Sequence, residues 1–266
     1  MVFEIYCDDK SIKTTGKIIR IPKGVKEIYT ECVIDKPVIF NDDLESLVIG
    51  DGALAIPTQI PNSVKFIELR GEIDYPLNFP ENLETLLINT DYKFDFKIPP
   101  NLKTLHINSS VIKIPSKLPE TITVLMIDTT FDNSFEFPPN LTNLTLTSSD
   151  EKIHNQVTTF PKLPSSLKTL TIEDQFYYDL VCPENLDTLY LNVENKLNII
   201  FNDKLRILVN QSPFDRFDLP ESLREFYNYT DSCGDFNIPK NIQSIRISKE
   251  FKKKVETVNS SKVDLF

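Results

Sequence analysis

The chain is poor in the residues from which most active sites and membrane anchors are built. Its 266 residues include two histidines, four cysteines, six glycines and no tryptophan. No apolar run approaches the roughly twenty residues of a membrane span. The first residues carry charges where a signal peptide needs an uninterrupted apolar stretch. We therefore expect a cytoplasmic protein with no membrane partner.

No catalytic or metal-binding motif is recognisable either. The cysteines lack C-x-x-C spacing, which favours reduced structural thiols. His106 and His154 have no registered Cys, Asp or Ser partner. The chain also has no glycine-rich phosphate loop and no nucleophile elbow. We expect no catalytic, cofactor-binding or metal-binding residues, and hence no enzyme.

The charge balance excludes one class of partner as a first choice. Asp and Glu outnumber Lys and Arg by 39 to 29, which gives a formal net charge of −10. The electrostatic field of such a chain repels a polyphosphate backbone on average. We therefore expect no nucleic-acid partner.

What the chain does contain is a repeat. Its anchor is an apolar residue, then Pro, two further residues and Leu-x-x-Leu-x-Ile, as in Ile98 and Pro99 followed by Leu102, Leu105 and Ile107. The position of this proline, here called the proline slot, is occupied in order by Pro22, Asn41, Pro61, Pro80, Pro99, Pro119, Pro138, Pro164, Pro183, Asn202, Pro220 and Pro239. Successive spacings are 19, 20, 19, 19, 20, 19, 26, 19, 19, 18 and 19. The series indicates twelve stacked copies of one unit.

The apolar columns of the repeat predict its local structure. The residue before the slot and the first two leucine columns are apolar in all twelve repeats, and the third column fails at Thr30, Asn210 and Asn228. Apolar residues two apart fit a strand with one buried face. A second apolar pair ends at the proline, so we expect an extended or irregular convex side. The predicted fold is a β-rich solenoid with a parallel sheet on its concave face and little helix.

A polar column lies two residues after the slot, where eleven of twelve repeats carry Gly or a short polar side chain, for example Asn82 and Asn101. Such residues suit a turn. We expect this pre-strand row to satisfy backbone groups whose burial without a partner costs roughly 1–3 kcal/mol each.

Residues 236–239 read Phe-Asn-Ile-Pro, with close variants at residues 96–99, 135–138 and 217–220. Followed by Leu-x-x-Leu-x-Ile, these segments resemble FNIP repeats, a leucine-rich-repeat variant of amoebae and their giant viruses. They are also similar to the short leucine-rich repeats of bacterial effector proteins. The resemblance covers roughly residues 18–248 and implies a leucine-rich-repeat solenoid. The chain lacks the Asn that usually follows the strand, so we expect the pre-strand row to replace the usual asparagine ladder.

The spacings also predict the domain organisation. We expect one solenoid domain over residues 1–266, with an N-terminal cap at 1–17 and twelve repeats at 18–248. The spacing of 26 locates an insertion near 147–160, which forms either a binding loop or a tolerated surface bulge. Phe251, Val255 and Val258 are spaced as on an amphipathic helix and predict a C-terminal cap within 249–266.

Three outward columns of the sheet suggest a function. Across the fourth to tenth repeats they carry two charges, Asp128 and Glu173. The candidate partner-binding residues are Leu87, His106, Val124, Met126, Tyr190, Ile207 and Val209. We therefore predict a monomeric, non-enzymatic protein–protein interaction module that binds a protein partner on its concave face. Two alternatives stay open: the columns reflect only the β-propensity of Thr, Val, Ile and Tyr, or the chain is a structural component that self-associates.

Overall fold

The computed structural model describes residues 2–5, 18–30, 37–50, 59–73, 75–109, 112, 114–128, 134–147, 160–216, 218–230, 233–235, 238–247 and 263–265. These residues fall into two compact units, Met1–Thr129 and Thr130–Phe266. Each unit is described by itself, and a single domain over the whole chain stays a prediction.

The first unit is a parallel β-solenoid. Its main ladder consists, in order, of β1 (Val2–Ile5), β3 (Glu27–Thr30), β5 (Ser46–Ile49), β6 (Phe66–Leu69), β7 (Thr85–Ile88), β8 (Thr104–Asn108) and β9 (Val124–Asp128). On the back of the unit, β2 (Ile19–Arg20) pairs with β4 (Val38–Ile39), also in parallel. Strand β1 lies within the expected N-terminal cap.

The second unit repeats this architecture. Its main ladder comprises β10 (Asn143–Thr147), β11 (Thr169–Asp174), β13 (Thr188–Val193), β15 (Ile207–Asn210), β17 (Glu225–Asn228), β19 (Ser244–Ile247) and β20 (Val263–Leu265). Two parallel pairs lie behind it, β12 (Leu180–Val181) with β14 (Ile199–Ile200), and β16 (Phe214–Arg216) with β18 (Cys233–Asp235). The described part of the chain contains no helix. The predicted parallel β-solenoid is therefore confirmed.

Two predicted elements lie largely outside the described residues. The insertion is described only at its ends, up to Thr147 and from Phe160, and Phe251, Val255 and Val258 are not described. Within the expected C-terminal cap the structure has strand β20, which pairs with β19. Among the described residues no helix is long and apolar enough to cross a membrane.

The proline slot makes a turn rather than a strand. The carbonyl of the slot residue accepts a hydrogen bond from the N–H of the first leucine column, as in Leu83 N to Pro80 O (3.1 Å) and Leu186 N to Pro183 O (3.0 Å). This is the i to i+3 bond of a β-turn, which needs glycine only where φ is positive. Gly24 is the one described glycine with a positive φ, at 80°. Few glycines therefore suffice for many turns.

The pre-strand polar row performs the predicted task in both units. In the first, Asn101 Nδ2 donates to Glu81 O (3.0 Å) and Thr121 Oγ1 to Leu102 O (2.7 Å). In the second, Asn185 Nδ2 donates to Ser165 O (3.0 Å) and Ser222 Oγ to Leu205 O (2.7 Å). Each of these four side chains thus bonds a backbone carbonyl of the preceding repeat, whereas the buried hydroxyl of Ser63 in the same row has no hydrogen-bond partner.

The polar exceptions of the third column are buried and bonded. Asn210 and Asn228 have no exposed surface, and Asn210 Nδ2 donates to Asn228 Oδ1 at 2.7 Å. Asn210 Oδ1 accepts from Ser212 N at 3.1 Å. Asn210 and Asn228 lie within strands, in the third column, and not at the post-strand position of the usual asparagine ladder. The expectation that the pre-strand row replaces that ladder therefore stays a prediction.

A charged column four residues after the slot alternates in sign through the first five repeats. Lys26 Nζ lies 2.6 Å from Glu45 Oε1, and Glu84 binds Lys103 (2.6 Å) and Lys65 (3.3 Å) with its two oxygens. The hydrogen bonds from Lys103 and Lys65 lower the pKa of Glu84. Exposed pairs of this kind add little to stability, but only the native register places opposite charges side by side.

Candidate functional site

The candidate residues lie on the outward side of the sheet strands. In β8, Leu105 and Ile107 are buried while His106 between them is half-buried. In β13, Leu189 and Leu191 are buried while Tyr190 is exposed. The alternation places inward and outward columns as the sequence predicts. Whether the outward side is concave stays a prediction.

In the first unit the register joins three candidates in one row. Leu87 pairs with His106, and His106 with Met126. All three are half-buried, whereas Val124, which pairs with Thr104, is 37% exposed. Two outward positions nearer the N-terminus, Val48 and Glu68, are buried. On the outward side of this unit's sheet, the exposed apolar side chain is therefore Val124, on the last described strand.

The His106 imidazole is partly shielded from solvent. Its Nε2 atom is buried and has no hydrogen-bond partner. Burial lowers the pKa of the imidazole, although the Glu68 carboxylate raises it. Glu68 is itself engaged, because Arg70 binds both of its oxygens at 2.7 and 2.9 Å. A neutral imidazole with a shielded nitrogen packs as an apolar group.

The second unit carries a longer row with larger side chains. Tyr190 pairs with Val209, Val209 with Tyr227, and Tyr227 with Arg246. Tyr190 is 40% exposed, and Val209 and Tyr227 are half-buried. Candidate Ile207 is half-buried beside Thr188 on one side and Glu225 on the other. Three of the seven candidates, Tyr190, Val209 and Ile207, thus lie together in this unit.

Three residues of this face were not among the sequence candidates. Tyr227 donates to Glu225 Oε2 at 2.8 Å, and the Arg246 guanidinium lies 5.9 Å from the centre of the Tyr229 ring. Tyr229 is 41% exposed. The sequence carried a usable signal for all three, because the outward columns continue into the eleventh and twelfth repeats at the same spacing.

Apolar side chains are also exposed behind the sheet of the second unit. Val181 and Ile200 pair across β12 and β14 and are 59% and 64% exposed. Most other described residues at this position, two before the proline slot, are polar or charged, such as Lys97 and Glu136. The sheet face therefore does not hold all of the exposed apolar surface.

The other described residues bear on chemistry in three respects: metal ligands, a thiol and a pocket. They contain no group of three or more His, Cys, Asp or Glu side chains that could hold a metal ion. Burial raises the pKa of the free Cys182 thiol to about 12, which keeps it protonated and a poor nucleophile. A pocket of about 260 Å³ in the first unit is lined mainly by apolar side chains such as Phe94, Phe96 and Ile107.

No protein-family model matches the chain, and no curated protein does. Solved structures that are similar to it include two leucine-rich-repeat proteins. One is CroV588, described as a novel circular LRR protein, with 15% identity and a TM-score of 0.49 over 86% of this chain and 47% of that one. The other is a leucine-rich repeat protein from Bacteroides ovatus ATCC 8483, with 14% identity and a TM-score of 0.31 over 94% and 84%. The chain thus spans about half the length of CroV588.

The twelve-fold pattern and the strand register decide the fold class. It is a leucine-rich-repeat solenoid. In this variant a β-turn at the proline slot, the pre-strand polar row and extended chain take the place of the helices that other leucine-rich repeats carry on their backs.

Proposed function

We propose that this leucine-rich-repeat solenoid is a non-enzymatic interaction module that binds a protein partner through the outward face of its sheet. The observation that carries the proposal is the second-unit row with Tyr190 at its exposed end and Val209 and Tyr227 beside it. Aromatic residues are enriched among the side chains that dominate binding energies. Side chains on a paired strand lose less conformational freedom on binding than side chains on a flexible loop.

Solenoids commonly use such extended surfaces to hold other proteins. The shielded His106 and the protonated Cys182 thiol favour binding over catalysis. We also propose that the repeats are of the FNIP type. Support comes from residues 135–138, in which Phe135 and Phe137, at the first and third positions of that motif, are both buried.

The test is capture of protein partners from an extract of the source cell by the tagged chain. Met126→Asp plus Tyr190→Asp should abolish capture, because each change puts a charge on an outward side chain. Circular dichroism and the unfolding midpoint should stay close to those of the wild type, since neither side chain is in the core. Capture at full strength by this folded double variant would refute the proposal.

Two controls define the surface. Lys97→Asp plus Glu136→Lys alters two exposed positions behind the sheets and should leave capture unchanged. Val181→Asp plus Ile200→Asp removes the exposed apolar pair on the back of the second unit. Loss of capture in that variant alone would place the binding site there instead. Light scattering distinguishes the proposal from the self-association alternative. The mass of an adaptor should stay that of a monomer, whereas the mass of an assembly component should rise with protein concentration.

A further inference from the structure

The second-unit face has a distinct chemical character. We name Tyr190, Val209 and Tyr227, on β13, β15 and β17, the tyrosine row. Strand neighbours lie about 4.8 Å apart, so the two tyrosines are roughly 10 Å from each other. The smaller Val209 lies between them. The row therefore offers two aromatic rings with a smaller apolar side chain between them.

Acidic side chains stand on both sides of this row. Glu173 of β11 is two residues beyond Thr171, the register partner of Tyr190. From the strand spacing and the rise per residue, its Cα lies roughly 8 Å from that of Tyr190. Glu225 of β17 is the register partner of Ile207, next to the row. Glu173 is half-buried, and so is Glu225.

The one cation among the described outward positions of this unit is Arg246, at the far end of the row. It lies three strands, or roughly 14 Å, from Tyr190, which exceeds the screening length of about 8 Å at physiological salt. Its guanidinium over the Tyr229 ring, at 5.9 Å from the ring centre, is an internal example of the contact that rings on this face can make. Among the described outward positions, the charged residue nearest to Tyr190 is therefore Glu173.

We propose that the partner presents to this face an extended protein segment in which an aliphatic side chain is flanked by Lys or Arg. This inference rests on the proposed function and specifies its partner. The aliphatic group packs on Val209 between the rings, and the cations lie against Tyr190 and toward Glu173 and Glu225. The net charge of −10 steers a basic partner toward the chain and repels an acidic one.

The experiment is selection of random linear peptides displayed on phage against the full chain, followed by measurement of Kd for the most enriched peptide by fluorescence anisotropy. We expect enriched peptides to combine Lys or Arg with an aliphatic residue. Tyr190→Leu keeps apolar contact but removes the ring face, so it should weaken binding by about two- to fivefold. When the Lys and Arg residues of the peptide are replaced by Gln, the Kd values of Tyr190→Leu and the wild type should no longer differ.

A matched pair of variants separates local from long-range electrostatics. Glu173→Lys should weaken binding of the basic peptide by about tenfold, because a nearby attraction between opposite charges becomes a repulsion between like charges. Asp203→Lys, in the exposed turn before β15, changes the net charge equally and should weaken it less than about twofold. Equal losses in the two variants overturn the inference, since they would reflect only the overall charge.

The outcomes also separate this inference from the function on which it rests. Enrichment of acidic or uncharged peptides whose binding is lost in Tyr190→Asp overturns the inference and leaves the proposed function standing. Enriched peptides that bind Tyr190→Asp as tightly as the wild type overturn both for this face. Failure to enrich any peptide that binds the wild-type chain also overturns the inference.

Discussion

The buried asparagine pair of the second unit gives the sharpest stability prediction. Truncation of Asn210 by Asn210→Ala removes three buried hydrogen bonds, those with Asn228 Oδ1, the Ser212 N–H and the Ser212 carbonyl. Each unsatisfied buried group costs about 1–3 kcal/mol, and part of this is recovered where the chain relaxes. We expect Asn210→Ala to lower the free energy of unfolding by about 3–5 kcal/mol.

Urea denaturation of single and double variants measures this loss. Asn228→Ala removes the contact with Asn210 and the 2.8 Å bond to Thr230 O, and the two substitutions together should be non-additive by about 0.5–3 kcal/mol. Asn192→Ala, at an exposed outward position of β13, is the matched control and should cost less than about 0.5 kcal/mol. A loss below about 1 kcal/mol for Asn210→Ala, or strict additivity, would refute the reasoning.

Three further predictions test register, burial and charge. Leu105→Ala should cost about 2–5 kcal/mol because Leu105 is fully buried, and Thr104→Ala less than about 1 kcal/mol; equal losses in urea denaturation would contradict the register. Because burial lowers the pKa of His106, the unfolded state binds more protons just below pH 6.5, so stability should fall from pH 6.5 toward 5, and His106→Gln should abolish that slope. Arg206→Asp should raise the pKa of Asp187, which the guanidinium now lowers; an NMR titration in which the pKa of Asp187 does not change would speak against that pair.

The fold could be predicted because its causes recur in every repeat. A residue such as Leu105 is buried by the same neighbours as its counterparts one repeat away, so the apolar columns report the register directly. The turn at Pro99 recurs in the same way, and its bond to Leu102 N is the one that the spacing implies. A packing contact that recurs in every repeat places the same type of residue at the same position of every repeat. One sequence is therefore enough to predict it.

The degree of exposure along the outward columns could not be predicted in the same way. Val48 and Glu68 occupy outward positions and are nevertheless buried. The Glu68 carboxylate is covered because Arg70 and Asn89 bind it, which depends on residues from two columns and two repeats at once. Column position alone therefore assigns a face but not the surface that a partner can reach.

The alternating charges show which kind of signal is easy to miss. Lys26 and Glu45 are one repeat apart, and each looks like an ordinary solvated residue until the column is read down the stack. Strands are recognised in a sequence by their buried apolar residues, so a search for apolar columns passes over these charged residues. Yet a slip by one repeat would set like charges against each other at this column, and the first two leucine columns, which are apolar in every repeat, would not oppose such a slip. The less uniform columns, which include this one and the column of the Asn210–Asn228 pair, therefore distinguish one repeat from the next. The tyrosine row belongs to the same class of positions. Its residues differ from repeat to repeat because packing does not dictate them.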